Sequence, residues 1–358
     1  MTDLQSTDRA TDNLLINCAG LHAEDSLLIV YEDHELGWYD EALVKLILAA
    51  ARKIGINTLT LEVGAPGNHR NDDLLAAMQL SDCTLFLSRI GDQDRFATPE
   101  PGKKIVMCYV RSVDMLVSSF AATSYQAMVE MKTALDQLFG QAKHIEIRCP
   151  LGTHCEFWSE VGEIRAQHDV SLQRFPMGVI TPIDADRLDG RVALSNFLTP
   201  TGSRVYEPAN LTLAETVFAV VESGRIVKFE GASQVVAQVV QHYQSVAQLF
   251  DIDANYIHSW HVGMHPGLSY RQSAADDPDR WSNTIFNHPR ILHFHTCGAY
   301  PPGEICWIVK DPTIVLDGKT VWNNGVPQLE QFASTRNCLE KWPELKTLYT
   351  QEPGAIGI

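Results

Sequence analysis

The feature that most constrains this chain is an alternation, in its first half, of short branched-apolar runs with segments of helical periodicity. Residues 26–31, SLLIVY, suit a strand buried on both faces. Residues 38–54, WYDEALVKLILAAARKI, repeat apolar positions at helical spacing, and Gly55 stops that helix. Residues 57–63, NTLTLEV, read as a second strand. The three form a β-α-β unit with an expected right-handed crossover. The pattern continues with a helix at 72–79, strands at 83–87 and 104–110, a helix at 123–139 and a strand at 144–148. This predicts a Rossmann-like α/β domain over residues 1–148 built on a doubly wound parallel sheet, with its first dozen polar residues expected to be mobile. At 358 residues the chain needs a second core, and residues 149–358 are assigned to it.

A sheet of this kind often binds a dinucleotide, yet the turn after the first strand, EDHELGW, carries one glycine and several acids. Phosphate cradling needs glycines and a helix N-terminus. The formal net charge of −16 disfavours nucleic acid and anionic membranes as partners. No apolar run reaches the length of a membrane span, and no secretory leader is visible. The eight cysteines form no CxxC pair and read as reduced thiols. A cytoplasmic protein is therefore expected.

From Cys149 onward, turn residues separate short β-rich runs. Residues 216–231 read as a hairpin turning at Ser223-Gly224, 232–250 as a helix and 313–325 as a second hairpin. This predicts an α+β domain with an antiparallel sheet. Trp260, Trp281, Trp307 and Trp322 are expected to be core or pocket wall, and the acidic stretches DADRLDG and AADDPDR solvated loops.

Six of the thirteen histidines fall between residues 258 and 295. In a strand, His293 and His295 share a face while Phe294 takes the other. Two imidazoles so placed are half of a metal site, or else an edge pair facing solvent. His258, His261 and His265 have helix-like spacing, but Gly263, Pro266 and Gly267 argue for a loop. Glu304 opens the apolar run EICWIV, where a carboxylate needs a partner. Two histidines with a carboxylate suit non-haem Fe(II) and equally suit hydrolytic zinc.

Several stretches between residues 25 and 325 resemble the aminopeptidase T metallopeptidase family, and within it the 2,5-dihydroxypyridine 5,6-dioxygenase branch. They are DSLLIVYEDH, the helix WYDEALVKLILAAARKIG, LDQLFGQAKHIEIRCPLGTHCEF, FPMGVITPIDADRLDGRVAL, ETVFAVVESGRIVKFEG, YIHSWHVGMHP, LHFHTCG and GEICWIVKDPTIVLDG. The resemblance makes His261, in His-Val-Gly, the first metal ligand. It departs at the dioxygenase's His-x-Asp pair, where Glu304 and Cys306 stand. It therefore implies a rearranged centre of His261, His295 and Glu304, with His265 and His293 as catalytic groups or alternative ligands and Arg174 as a substrate contact. The cofactor it implies is Fe(II), with zinc or another divalent ion as alternatives. The expected function is an oxygenase acting on a small hydroxylated aromatic or N-heterocycle. A metal-dependent aminopeptidase or amidohydrolase and a non-catalytic binding relative are the other readings. The resemblance also implies a homo-oligomer.

Overall fold

A computed structural model describes residues 3–67, 71–93, 99–158, 170–200, 206–298 and 303–358. Three sheets organise the chain. The parallel sheet runs in the order Asn57–Val63, Ser26–Glu32, Cys83–Leu87, Lys104–Cys108 and Gln173–Phe175. Its inner strands are apolar because both faces are covered, and every residue of Cys83–Leu87 is buried. The helices expected at 38–54, 72–79 and 123–139 occur as Glu41–Ile54, Asp72–Gln79 and Tyr125–Gln141.

The strand His144–Arg148 departs from expectation. It does not join the parallel sheet but pairs antiparallel with His154–Trp158 and Thr313–Leu316. The reason is legible in HIEIR itself: apolar and polar residues alternate, which fits a sheet with one face in the core. Only Ile145 and Ile147 are buried there. Conversely, Gln173–Phe175, from the second half of the chain, adds the last parallel strand beside Lys104–Cys108.

Two antiparallel sheets form where one was expected. The eight-stranded sheet contains both anticipated hairpins, Val217–Glu222 with Arg225–Glu230 and Thr313–Leu316 with Lys319–Asn323. Ser223 and Gly224 both take positive φ, 47° and 72°, as a two-residue I′ turn requires. The six-stranded sheet runs Leu211–Thr212, Phe197–Pro200, Ile305–Lys310, Ile291–Thr296, Ile257–Val262 and Ile183–Asp184.

This six-stranded sheet is the middle layer. One face sends Trp260, Leu292, Phe294 and Trp307 into a core shared with the eight-stranded sheet and Tyr125–Gln141. The other sends Ile291, Cys306 and Ile308 into the core of the parallel unit, with Trp281 and Ile285 of the helix Pro278–Ile285. All four expected core tryptophans are fully buried. The AADDPDR stretch is not wholly a solvated loop, because its end starts that helix. The polar N-terminus also folds, as the helix Asp3–Asp12, which buries Ala10 and Thr11. All eight cysteines are unpaired. No helix among the described residues is long and apolar enough to cross a membrane.

Candidate metal centre

Strand register builds the site. His258 and His261 lie on the strand Ile257–Val262, not on the expected loop, which starts only at Gly263. Gly263 is required there for space: a Cβ would stand 2.3 Å from the carbonyl oxygen of His288. His261 lies directly opposite His293 on Ile291–Thr296, and Ser259 lies opposite His295. Opposed residues of an antiparallel pair carry their Cβ atoms about 5 Å apart. His293 and His295, two apart, share the face of His261, while Trp260 and Phe294 fill the opposite core.

The three imidazoles converge through Nε2. His261 Nε2 lies 2.5 Å from His293 Nε2 and 3.2 Å from His295 Nε2. Of the described residues, these three are brought together with a ligand atom from each within 4.8 Å of the others. His261 and His293 are buried, and 13% of the His295 side chain is exposed.

The far nitrogens set the orientation. His261 Nδ1 faces the Ile180 carbonyl oxygen at 3.4 Å. His295 Nδ1 faces Glu304 Oε1 at 3.5 Å, with the carboxylate side chain 4% exposed. A proton on each Nδ1, directed at these oxygens, leaves the Nε2 lone pairs facing the cluster. This is how a carbonyl or carboxylate behind a ligating histidine fixes its tautomer. His293 packs its ring edge-on against Phe286, centroids 5.9 Å apart, and its buried Nδ1 has no hydrogen-bond partner among the described residues.

Burial, then the neighbouring imidazoles, holds His261 and His293 well below the ordinary histidine range. Arg174 adds to the effect on His261. Both rings are therefore neutral at physiological pH and available as ligands. Neutral imidazoles converging on one point are a donor set that fits a divalent cation. Metal–imidazole bonds of about 2.1 Å place two ligating nitrogens roughly 3.0–3.4 Å apart. The His261–His295 separation already matches; His261 and His293 must part slightly.

The other sequence-derived candidates take distinct places. Glu304 stands behind His295 rather than among the three nitrogens. Arg174 is nearly buried on the parallel strand Gln173–Phe175 and acts electrostatically on His261. Cys306 lies opposite His295 in the next strand, with its thiol held protonated by burial and by Glu304. His265 is not in the group. It is fully buried with its ring edge-on to Phe120, centroids 4.9 Å apart, and its Nδ1 accepts from the Gly267 N–H at 3.2 Å. Sequence reasoning did not find Phe286 or the Ile180 carbonyl, since neither belongs to a pattern tied to a histidine. Phe286 also meets Tyr109 edge-on at 5.2 Å, which extends the aromatic wall to the parallel unit.

Solved structures that resemble this one include two of nearly the same extent. The 2,5-dihydroxypyridine dioxygenase from Pseudomonas putida KT2440 aligns with a TM-score of 0.61 at 14% identity, over 94% of this chain and 100% of that one. Wild-type AmpT from Thermus thermophilus aligns with a TM-score of 0.52 at 11% identity, over 90% and 98%. The fold is shared with both. At such identities the relationship is distant and lies in the fold alone. No protein-family model and no curated protein matches the sequence.

Two predictions follow from the geometry. Glu304→Gln is expected to weaken divalent-metal affinity about 10- to 100-fold, the usual cost of losing such a carboxylate, while His261→Ala, His293→Ala and His295→Ala each remove a donor and weaken it further. Competitive chelator titration measures both. The second concerns His265 and His288, which are fully buried and pushed down to about 3 by desolvation. As pH falls from 6.5 the unfolded chain takes up protons that these rings refuse in the fold. Their contribution is therefore intact above pH 6.5 and is lost toward pH 3, at about 1.4 kcal/mol per pH unit for each histidine. Urea unfolding between pH 7 and pH 4 is expected to show a shallower pH slope in His288→Gln than in the wild type.

Proposed function

We propose that this chain is a non-haem Fe(II) oxygenase whose substrate is a small hydroxylated aromatic or N-heterocyclic molecule. The observation that carries this reading is the set of three imidazoles with converging Nε2 atoms, two of them buried and the third 13% exposed. Imidazole ligands suit iron, as they suit zinc, copper and nickel. Three neutral ligands leave the full charge of a divalent ion in place, which favours a chelating, deprotonated hydroxyl of a substrate. A bound Fe(II) would supply Lewis acidity and one-electron chemistry toward O₂.

The chain's own residues do the rest in this reading. Arg174 holds an anionic group of the substrate; its guanidinium is one of the charges acting on His261. Phe286 and Tyr109, packed edge to face beside His293, exclude water and offer a surface for a flat ring. Glu304 keeps His295 in one tautomer. Hydrolysis by a metal-bound water is helped by a carboxylate on the open side of the metal. Among the described residues no carboxylate oxygen joins the three nitrogens. That argument, together with the dioxygenase-like fold, favours oxygenase over hydrolase.

The test is O₂ consumption by protein purified without oxygen and reloaded with Fe(II), offered dihydroxypyridines and catechols. Stoichiometric O₂ uptake with ring opening, reduced at least about 100-fold in His293→Ala, is the expected result. Amide turnover by the zinc-loaded protein with no O₂ uptake by the iron form would replace the reading with the hydrolase. Absence of both would reduce the chain to a binding protein.

A further inference from the structure

A second concentration of charge lies at the carboxyl ends of the parallel strands. Glu32 closes the strand Ser26–Glu32, Arg89 follows Cys83–Leu87 and Arg111 follows Lys104–Cys108. Open α/β sheets place their ligands in the crevice beyond these ends. Both guanidinium groups lie over the ring of Trp38, Arg89 at 4.1 Å and Arg111 at 4.9 Å, and Arg111 also lies 5.1 Å from the Tyr39 ring. Arg89 is matched: Glu32, 2% exposed, accepts from its Nε at 2.8 Å and 3.1 Å.

Arg111 is not matched in this way. It is 1% exposed, and its Nη2 donates to the Asn283 carbonyl at 3.1 Å. Its Nε and Nη1 are buried and have no hydrogen-bond partner among the described residues. Asp279, one turn before Asn283 on the helix Pro278–Ile285, acts on both arginines through space, but its carboxylate accepts from Asn283 Nδ2 at 2.8 Å. Ring faces attract a cation yet accept none of its in-plane N–H groups. A desolvated guanidinium with unused donors is strongly unfavourable, and an oxyanion supplies both the countercharge and the acceptors.

We propose that Arg111, held against Trp38 and anchored to Asn283, is the recognition point for a small oxyanion: a carboxylate or phosphate group of a small molecule. Glu32 neutralises Arg89 and so leaves Arg111 as the cation for the ligand. Trp38 fixes the plane in which the donors point. Asp279 opposes the ligand's charge and limits affinity. Aromatic contact, not ligation, connects this locus to the histidines: Asn283 and Phe286 lie three residues apart on one helix and its C-cap, and Phe286 touches His293.

The test is calorimetric titration with inorganic phosphate and, separately, with benzoate, on wild type, Arg111→Met and Asp279→Asn. The histidine-bound metal content of each protein is measured alongside as a control for folding. Saturable binding of at least one probe to wild type is expected, at least tenfold weaker in Arg111→Met and several-fold tighter in Asp279→Asn. Phosphate binding alone identifies a phosphoryl ligand, and benzoate alone a carboxylate. If Arg111→Met does not fold, Asp279→Asn decides: tighter binding supports the site and unchanged binding overturns it. Failure of both probes to saturate wild type, or equal affinity in all three proteins, also overturns it. Loss of anion binding with metal retained separates this proposal from the metal centre.

Discussion

The antiparallel register that sets His261 opposite His293 also sets Trp260 opposite Phe294, and Phe294 opposite Trp307. Core and site are thus two faces of one pairing. The aromatic residues bury large areas against the eight-stranded sheet, with Trp260 and Phe294 centroids 6.4 Å apart and Phe294 and Trp307 5.7 Å apart. A slip of one residue would turn the imidazoles into that apolar core and the aromatic rings out of it. The hydrophobic effect that drives packing on one face therefore holds the polar cluster in place on the other.

That arrangement makes a costly feature tolerable. Burying an ionised imidazole is unfavourable, so His261 and His293 lose their protons, and neutral rings are what a divalent cation requires. The second layer follows the same logic. The Ile180 carbonyl and Glu304 take the Nδ1 sides of His261 and His295, so the carboxylate expected among the ligands is more useful behind one of them. The buried charge at Arg111 is the counterpart on the parallel unit: a cation kept dry beside aromatic rings, with donors unused.

Much of the fold was legible because local patterns carried it. The β-α-β unit, the Ser223-Gly224 turn and the shared face of His293 and His295 all follow from periodicity within a few residues. What was not legible depended on pairing across distance. Nothing local says that His261 meets a residue thirty-two positions later, or that Gln173–Phe175 returns to the parallel sheet. The His258, His261, His265 spacing suggested a common locus, but His258 and His261 lie three apart on one strand, an odd spacing that sends side chains to opposite faces, and the chain then carries His265 toward Phe120. Glu304 was recognised as a carboxylate needing a partner, and it has one in His295. Its place on the Nδ1 side of that ring was beyond reach without the geometry.

The central claim is that one divalent ion is held by the Nε2 atoms of His261, His293 and His295. X-ray absorption at the edge of the bound metal tests it directly. The account predicts a first shell with three imidazoles at about 2.1 Å, unchanged in ligand type in Glu304→Gln. A shell with fewer than three imidazoles, or one that loses a carboxylate oxygen or gains a sulfur when Glu304 is replaced, would contradict it.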